Sequence, residues 1–323
     1  MADEHMLARA SELYDFDPDT VQLIRIWDGS PNHIYSFEKN EQGYILRASK
    51  GSEDWANRTQ AEMDWLDYLA KRGARVSLPL PSMYGRIVER AELDGEDWVI
   101  CAFDKAEGRH AQRDDPDTWN EQVFQDWGAT MGQIHHLTKH YHPSSEARTR
   151  PTFDGCEALQ PGLHHVPELE KTVHDHVAHL LSLPRTQGSF GLIHQDFHQL
   201  NFFVDRGKVH VFDFDDSVYG YFALDIGIAL YHALLWGLPE EIDRRQAASQ
   251  AILGGFMKGY LSQNALDDSC RSTIPDFMRF RQMCELAWAL NDPATLDAQQ
   301  AEIERVQQGV LFDGVHVDAS TFI

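Results

Sequence analysis

The chain has 323 residues, 42% hydrophobic and 24% charged, enough to bury a sizeable core in one or two domains. Its formal net charge of −23 argues against nucleic acid or an anionic membrane as partner, because both are bound through basic patches. No run of 18 apolar residues exists to span a bilayer, and the acidic start MADEHMLARASELYDF lacks a signal-peptide core, so a cytoplasmic protein is expected.

Val21 to Trp27, Ile34 to Glu38, Tyr44 to Ala48 and Trp98 to Phe103 read as short strands. One helix interrupts them, Asn57 to Arg72, with an apolar stripe of Ala61, Trp65, Leu66, Leu69 and Ala70 closed by Gly73. The polar segment 104–116, with Gly108 and Pro116, marks a boundary. Beyond it the chain turns helical: Asp117 to Leu137, then stretches within 167–183, 224–236, 240–262 and 275–291. The cysteines (Cys101, Cys156, Cys270, Cys284) lie far apart without a C-x-x-C pair, so buried thiols are expected rather than disulfides.

Between these helices lies the segment LIHQDFHQLNFFVDRGKVHVFDFDD, residues 192–216. His194, Asp196 and Asn201 stand in the spacing H-x-D-x-x-x-x-N, and a hairpin (201–204, a turn at Asp205-Arg206-Gly207, then 209–212) delivers Asp213. Phosphoryl transfer asks a protein mainly for positioning and charge neutralisation. One carboxylate must face the acceptor hydroxyl, and two oxygen ligands must hold Mg²⁺ against the phosphates. A loop carrying Asp196 and Asn201, followed by a strand ending in Asp213, has the spacing for all three.

The segment resembles the signature of the aminoglycoside phosphotransferase and choline kinase-like family. That signature reads H-G-D-x-H-x-x-N, then I-D-F/W-x-x, then G-x-x-x-x-D-[IL]. Here it stands as His194-Gln195-Asp196-Phe197-His198-Gln199-Leu200-Asn201, then Phe212-Asp213-Phe214-Asp215-Asp216, then Gly220 to Asp225-Ile226, with Gln195 in place of the commoner glycine. The resemblance implies an α+β, bilobal protein-kinase-like fold. Its small antiparallel-sheet N-lobe with one helix would cover residues 1–104 and bind ATP. Its larger, mostly helical C-lobe, residues 105–323, would carry the catalytic loop and the acceptor site.

It also implies roles. Asp196 would orient the acceptor hydroxyl, while Asn201 and Asp213 would hold Mg²⁺. The turn around Gly29, Ser30 and Asn32 would cover the ATP phosphates, with Arg47 where kinases usually place a lysine and Glu62 pairing with it. Backbone groups around Ala102, Phe103 and Asp104 would meet adenine, and Asp225 would tie down the catalytic loop. The acceptor would be a small molecule. Asp267, Asp268, Asp276, Glu285 and Asp292, with Trp288, are the candidates to receive an amine-bearing one.

Three rival readings have distinct signatures. A metallohydrolase would use His194, Asp196, His198 and Asp213, or the His174–His176 pair, as transition-metal ligands, and leaves Asn201 unexplained. A protein kinase would show G-x-G-x-x-G, D-F-G and A-P-E, where this chain has Asp213-Phe214-Asp215 and no A-P-E. A non-catalytic nucleotide-binding protein would have no use for an intact Asp196, Asn201 and Asp213.

Overall fold

The computed structural model describes residues 2–26, 32–145 and 149–322. The chain forms two compact units. The first comprises Met1–Glu107, Tyr141–Arg150 and His210–Asp215; the second comprises Gly108–His140, Pro151–Val209 and Asp216–Ile323.

The first unit is built on an antiparallel sheet. Its strands β1 (Gln22–Ile26), β2 (Asn32–Lys39), β3 (Gln42–Lys50), β6 (Glu96–Asp104) and β4 (Pro79–Leu80) lie in that order, and β5 (Glu89–Leu93) also pairs with β6. One face buries Tyr35, Phe37, Leu46, Ala48, Trp98, Ile100 and Ala102 against helix α1, Ala2–Tyr14. The sequence reading did not anticipate α1. Its polar composition masks a stripe of Met6, Ala10, Leu13 and Tyr14 at helical spacing, each at most 1% exposed.

Side chains alternate across a strand, so Arg47 lies on the opposite face of β3 from Leu46 and Ala48. Helix α2 (Glu53–Ala70) brings Glu62 to it. This helix starts one turn before the expected Asn57, because Ser52 adopts the extended N-cap conformation and Glu53 and Asp54 favour the first turn. It ends where Gly73 takes φ 85°, as the sequence predicts.

The second unit is mostly helical. It begins with the short strand β7 (Arg109–His110) and helix α3 (Glu121–Thr138). That helix begins later than the expected Asp117 because the Asn120 side chain accepts the Val123 N–H, which sets the cap there. Helix α4 (Pro167–Leu181) leads to strands β8 (Phe190–Ile193), β9 (Phe202–Asp205), β10 (Lys208–Val211, its last two residues counted in the first unit) and β11 (Val218–Tyr221). The chain finishes with α5 (Phe222–Gly237), α6 (Ile242–Gln263), α7 (Asp268–Arg271), α8 (Ile274–Ala289) and α9 (Gln300–Gln308).

Two arrangements position the site. Strand β8 pairs antiparallel with β11, Ile193 opposite Val218, and β11 runs straight into α5. The first turn of α5 is thereby set beside the loop that leaves β8. Helices α3 and α6 also approach unusually closely. A Cβ at Gly128 would lie 1.9 Å from the Phe256 carbonyl oxygen, and one at Gly259 would lie 1.8 Å from that of Gln125.

Gly259→Ala is therefore expected to force the two helices apart and lower stability by about 2–3 kcal/mol, read from the denaturant midpoint. A midpoint equal to the wild type's would show that the interface can yield.

Candidate active site

The loop His194–Asn201 leaves β8 and is held from below by one carboxylate. Asp225, in the first turn of α5 and 0% exposed, accepts the backbone N–H of His194 through Oδ2 (3.0 Å) and that of Gln195 through Oδ1 (2.7 Å). His135 Nε2 meets the same Oδ2 at 3.0 Å, and its Nδ1 meets the Tyr260 hydroxyl at 2.8 Å. Burial pushes the His135 pKa down, against the pull of Asp225. A buried, unprotonated His135 donates through Nε2 and accepts through Nδ1, which suits both contacts. The helix N-terminus adds its own favourable field to the Asp225 charge.

Gln195 takes φ 70°, in the left-handed region. A non-glycine residue there costs about 1–2 kcal/mol, which accounts for the glycine commoner at this point of the signature. Its side chain is buried. Nε2 donates to Glu157, which stands in the short 3₁₀ turn Cys156–Ala158 of the same unit, while Oε1 has no hydrogen-bond partner.

Asp196 follows at once, and its carboxylate is fixed from three sides. Asn201 Nδ2 donates to Oδ2 at 2.8 Å and to the Asp196 backbone oxygen at 2.9 Å. His198 Nε2 lies 3.2 Å from Oδ2, and an Arg281 guanidinium nitrogen lies 3.4 Å from Oδ1. Burial opposes the charge, but the His198 hydrogen bond and the Arg281 guanidinium outweigh that and hold the Asp196 pKa down at about 2. The carboxylate is ionised at any working pH.

Arg281, on α8, was not singled out in the sequence. Nothing in the apolar pattern of residues 275–291 separates it from Arg279, two residues earlier. Arg281 is 8% exposed and held by Glu285 (3.1 Å), by His232 Nε2 (2.9 Å) and by the Trp288 ring, whose centroid lies 5.0 Å from the guanidinium carbon. Burial and the Arg281 cation push the His232 pKa down to about 2, so its Nε2 is a neutral acceptor for the Arg281 N–H. Glu157 has the opposite character. Burial pushes its pKa up to about 7, Arg281 works against that shift, and Asp196 adds to it.

Of the carboxylates suggested for an acceptor, the structure brings Glu285, with Trp288, to the Arg281 group. The others have local roles. Asp292 caps the turn at Ala294, Asp267 is the N-cap residue of α7, Asp268 pairs with Arg271, and Asp276 lies 3.6 Å from His179.

In the first unit, Arg47 and Glu62 form a two-pronged pair, 3.0 and 2.6 Å, with both residues at most 4% exposed. Burial works against the guanidinium charge, but Glu62 overcomes it and raises the Arg47 pKa. The Arg47 head also lies 5.2 Å from the centre of the Phe103 ring. Asn32 spends its amide locally, accepting from Ser49 Oγ (2.5 Å) and donating to Asp215 Oδ2 (2.6 Å). Gly29 and Ser30 lie outside the described residues.

Ala102 and Phe103 sit on an interior stretch of β6, paired with β3 on one side and β4 on the other. The adjacent Asp104 N–H donates to the Leu78 carbonyl. Much of the backbone expected to read adenine is thus engaged in the sheet. The Ala102 methyl is buried on the α1 face, and the Phe103 ring lies on the face of Arg47. Asp213 takes φ 67°, a second non-glycine residue in the left-handed region. Strain of this kind is characteristically retained where a site requires it.

Among the described residues, no group of three or more His, Cys, Asp or Glu side chains is placed to hold a metal ion, so the arrangement required by a metallohydrolase is not seen. His174 and His176 instead bond the backbone oxygens of Glu170 and Asp276. No helix among the described residues is long and apolar enough to cross a membrane.

Comparison with known proteins adds the following. Residues 22–261 match the model of the phosphotransferase enzyme family. The chain is 36% identical over 286 residues to an amicoumacin kinase of Bacillus subtilis (strain 168), covering 87% of this chain and 83% of that protein. Among solved structures it is similar to an amicoumacin kinase in complex with AMP-PNP, Ca²⁺ and Ami. The TM-score is 0.87 at 26% identity, over 100% of this chain and 98% of that one. A microcompartment-associated aminopropanol kinase shares the fold, with a TM-score of 0.71 at 20% identity over 95% of both chains.

The pKa of Glu157 makes a stability prediction. Between its ordinary 4.5 and its folded value of about 7, the native state retains a proton that the unfolded chain releases, so stability falls as pH rises through that window. Glu157→Gln removes the titration. The variant should exceed the wild type by about 1–3 kcal/mol at pH 8 relative to its standing at pH 4, measured by denaturant unfolding at both values. A difference independent of pH would refute the assignment.

Proposed function

This chain belongs to the phosphotransferase enzyme family and is a kinase, and on that premise we propose that it transfers the γ-phosphoryl group of Mg-ATP to a hydroxyl of a small, amine-bearing molecule. The observation that carries the reading is the ionised Asp196 carboxylate. It is immobilised by Asn201, His198 and Arg281, and it stands in a loop locked to the core by Asp225.

Asp196 orients the acceptor hydroxyl and takes its proton late, since a loose, metaphosphate-like transition state needs little early deprotonation. The low pKa of Asp196 suits a group that aims and polarises rather than one that abstracts a proton early. Arg281 keeps the carboxylate charged and limits its rotation.

The residues fit a hard divalent cation. With Nδ2 turned to Asp196, Asn201 presents its amide oxygen elsewhere, and Asp213 offers a carboxylate, so both ligands are oxygen donors of the type Mg²⁺ takes. When bound, the ion neutralises charge on the phosphates. The first unit serves as the ATP-binding lobe, with Arg47, steadied by Glu62, as its phosphate-facing cation. Ser30 and Asn32, the latter opening β2, are assigned to the phosphates, and the Phe103 ring, on the same face of the sheet as Arg47, is assigned to adenine, with Ala102 contributing backbone.

Charge supports an amine-bearing acceptor. Arg281 has three carboxylates acting on it, Asp196, Glu285 and Glu157, and the last of these gains its charge most readily when a further cation arrives. The Trp288 ring, 37% exposed, adds a face on which a cation or an apolar group can rest. The relatives act on amicoumacin and on aminopropanol by name, and these two acceptors head the panel to be tried. A peptide acceptor is disfavoured. Only eight residues separate Asp213 from the start of α5 at Phe222, and β11 takes up four of them, leaving no long activation segment to bind one.

ADP release from Mg-ATP should be stimulated by one or more of amicoumacin, 1-amino-2-propanol, choline, homoserine and aminoglycosides. Asp196→Asn should lower kcat by about 10²- to 10⁴-fold with ATP binding retained. Asp213→Ala should instead abolish Mg²⁺-dependent ATP binding. Full turnover by Asp196→Asn would overturn the mechanism.

A further inference from the structure

Gln195 presents a physical puzzle that the reaction as described leaves unsolved. Its backbone lies at φ 70°, where glycine is at ease and glutamine is strained, and where the family signature commonly has glycine. The loop does not need the side chain for its own closure, because Asp225 is satisfied by the backbone N–H groups of His194 and Gln195. Strain retained at one residue of a reacting loop has to be matched by something the side chain does.

What the side chain does is hold Glu157. Gln195 Nε2 donates to the Glu157 carboxylate, and that carboxylate has no cationic side chain within ion-pair distance among the described residues. Oε1 of the same amide, on a residue only 8% exposed, is left without a partner. One residue from Asp196 there are thus a carboxylate, supplied with a single amide donor, and a buried amide oxygen with none. Two acceptors presented together fit a group rich in N–H donors and positively charged, which describes a protonated amine.

We propose that Gln195 is a specificity-determining positioning residue, which fixes the Glu157 carboxylate beside Asp196 as the anchor for the protonated amine of the acceptor. The inference deepens the amine-bearing reading of the acceptor and rests on it. The amine is held by Glu157 and Gln195 Oε1 while the hydroxyl meets Asp196, so acceptors carrying both groups a few bonds apart are selected. The raised pKa of Glu157 agrees: a carboxylate held where its charge is disfavoured gains most from an arriving cation. Of the charged groups acting on it, Arg281 favours the Glu157 charge while Asp196 and Asp154 oppose it.

The test uses the full-length enzyme with amicoumacin, 1-amino-2-propanol and kanamycin as probes, each beside its N-acetyl form, in which the amine is uncharged. Gln195→Gly is the informative variant because glycine suits φ 70° and should fold at least as well as the wild type, with a melting temperature measured alongside. Gln195→Gly and Glu157→Gln should each raise KM for the amine acceptor about tenfold, with KM for ATP unchanged. The double variant should be no worse than Glu157→Gln alone, as expected of residues acting through one contact. Gln195→Asn, shorter but still at home in left-handed backbone, should recover little. An unchanged acceptor KM in Gln195→Gly, or effects that multiply in the double variant, would overturn the proposal while leaving the kinase reading intact. Equal KM values for amine and N-acetyl probes in the wild type would remove the amine-bearing acceptor, and this anchor with it.

Discussion

The catalytic loop depends on the carboxylate of Asp225. A loop that turns sharply between β8 and β9 leaves backbone N–H groups pointing inward, and buried donors without acceptors are costly. Asp225 takes two of them at once, those of His194 and Gln195, and is itself held by His135. The pairing of β8 with β11 and the direct run of β11 into α5 deliver that carboxylate to the right place. With the backbone secured, Gln195 can remain in a strained conformation and Asp196 can project in one direction. The buried His135–Tyr260–Asn264 chain connects this clamp to α6, and α6 is packed on α3 through glycines. The aim of Asp196 is thereby tied to the helical core rather than to the loop.

Charge around Asp196 is arranged rather than balanced. A buried carboxylate would ordinarily hold its proton more tightly, yet Asp196 is kept ionised by the His198 hydrogen bond and by Arg281. Arg281 is itself desolvated and is sustained by Glu285, the neutral His232 and the Trp288 face. Glu157, at the other end of the Gln195 amide, is pushed toward neutrality by the same surroundings. Two carboxylates at neighbouring points of one site thus have pKa values driven in opposite directions. In the proposed reading that separation divides their roles: a fixed charge for the hydroxyl and, for the amine, a charge that is costly until a cation arrives.

The first unit solves a different problem with Arg47 and Glu62. A guanidinium and a carboxylate buried together survive only with close geometry, which the two contacts of 3.0 and 2.6 Å supply. Arginine in place of lysine changes what can be presented, because two nitrogens of its planar fork are engaged by Glu62 while its head lies near the Phe103 ring. The pair also fixes the spacing between β3 and α2, so removal of either partner would leave a buried charge unmatched.

Much of the site was legible in the chain. The spacing of His194, Asp196 and Asn201, the hairpin leading to Asp213 and the later Asp225 are local patterns, and chemistry that needs several groups on one short loop must write them close together. Strands and helices with clear periodicity were legible for the same reason, as were Arg47 and Glu62, one on a strand and one on an apolar-striped helix. Helix α1 was not, because its narrow stripe is apolar only in relation to the sheet it covers. Glu157 and Arg281 were not, because nothing in their neighbours marks them; they acquire meaning only when α8 and the turn at Cys156 fold beside Asp196. Their pKa values, the fate of the Asn32 amide and the backbone of Ala102 and Phe103 already engaged in the sheet are likewise products of packing. Sequence by itself determined which groups are candidates for the transfer, since those are set by short-range spacing. Only the tertiary structure decided which charges surround them, since burial and long-range neighbours arise when distant segments meet.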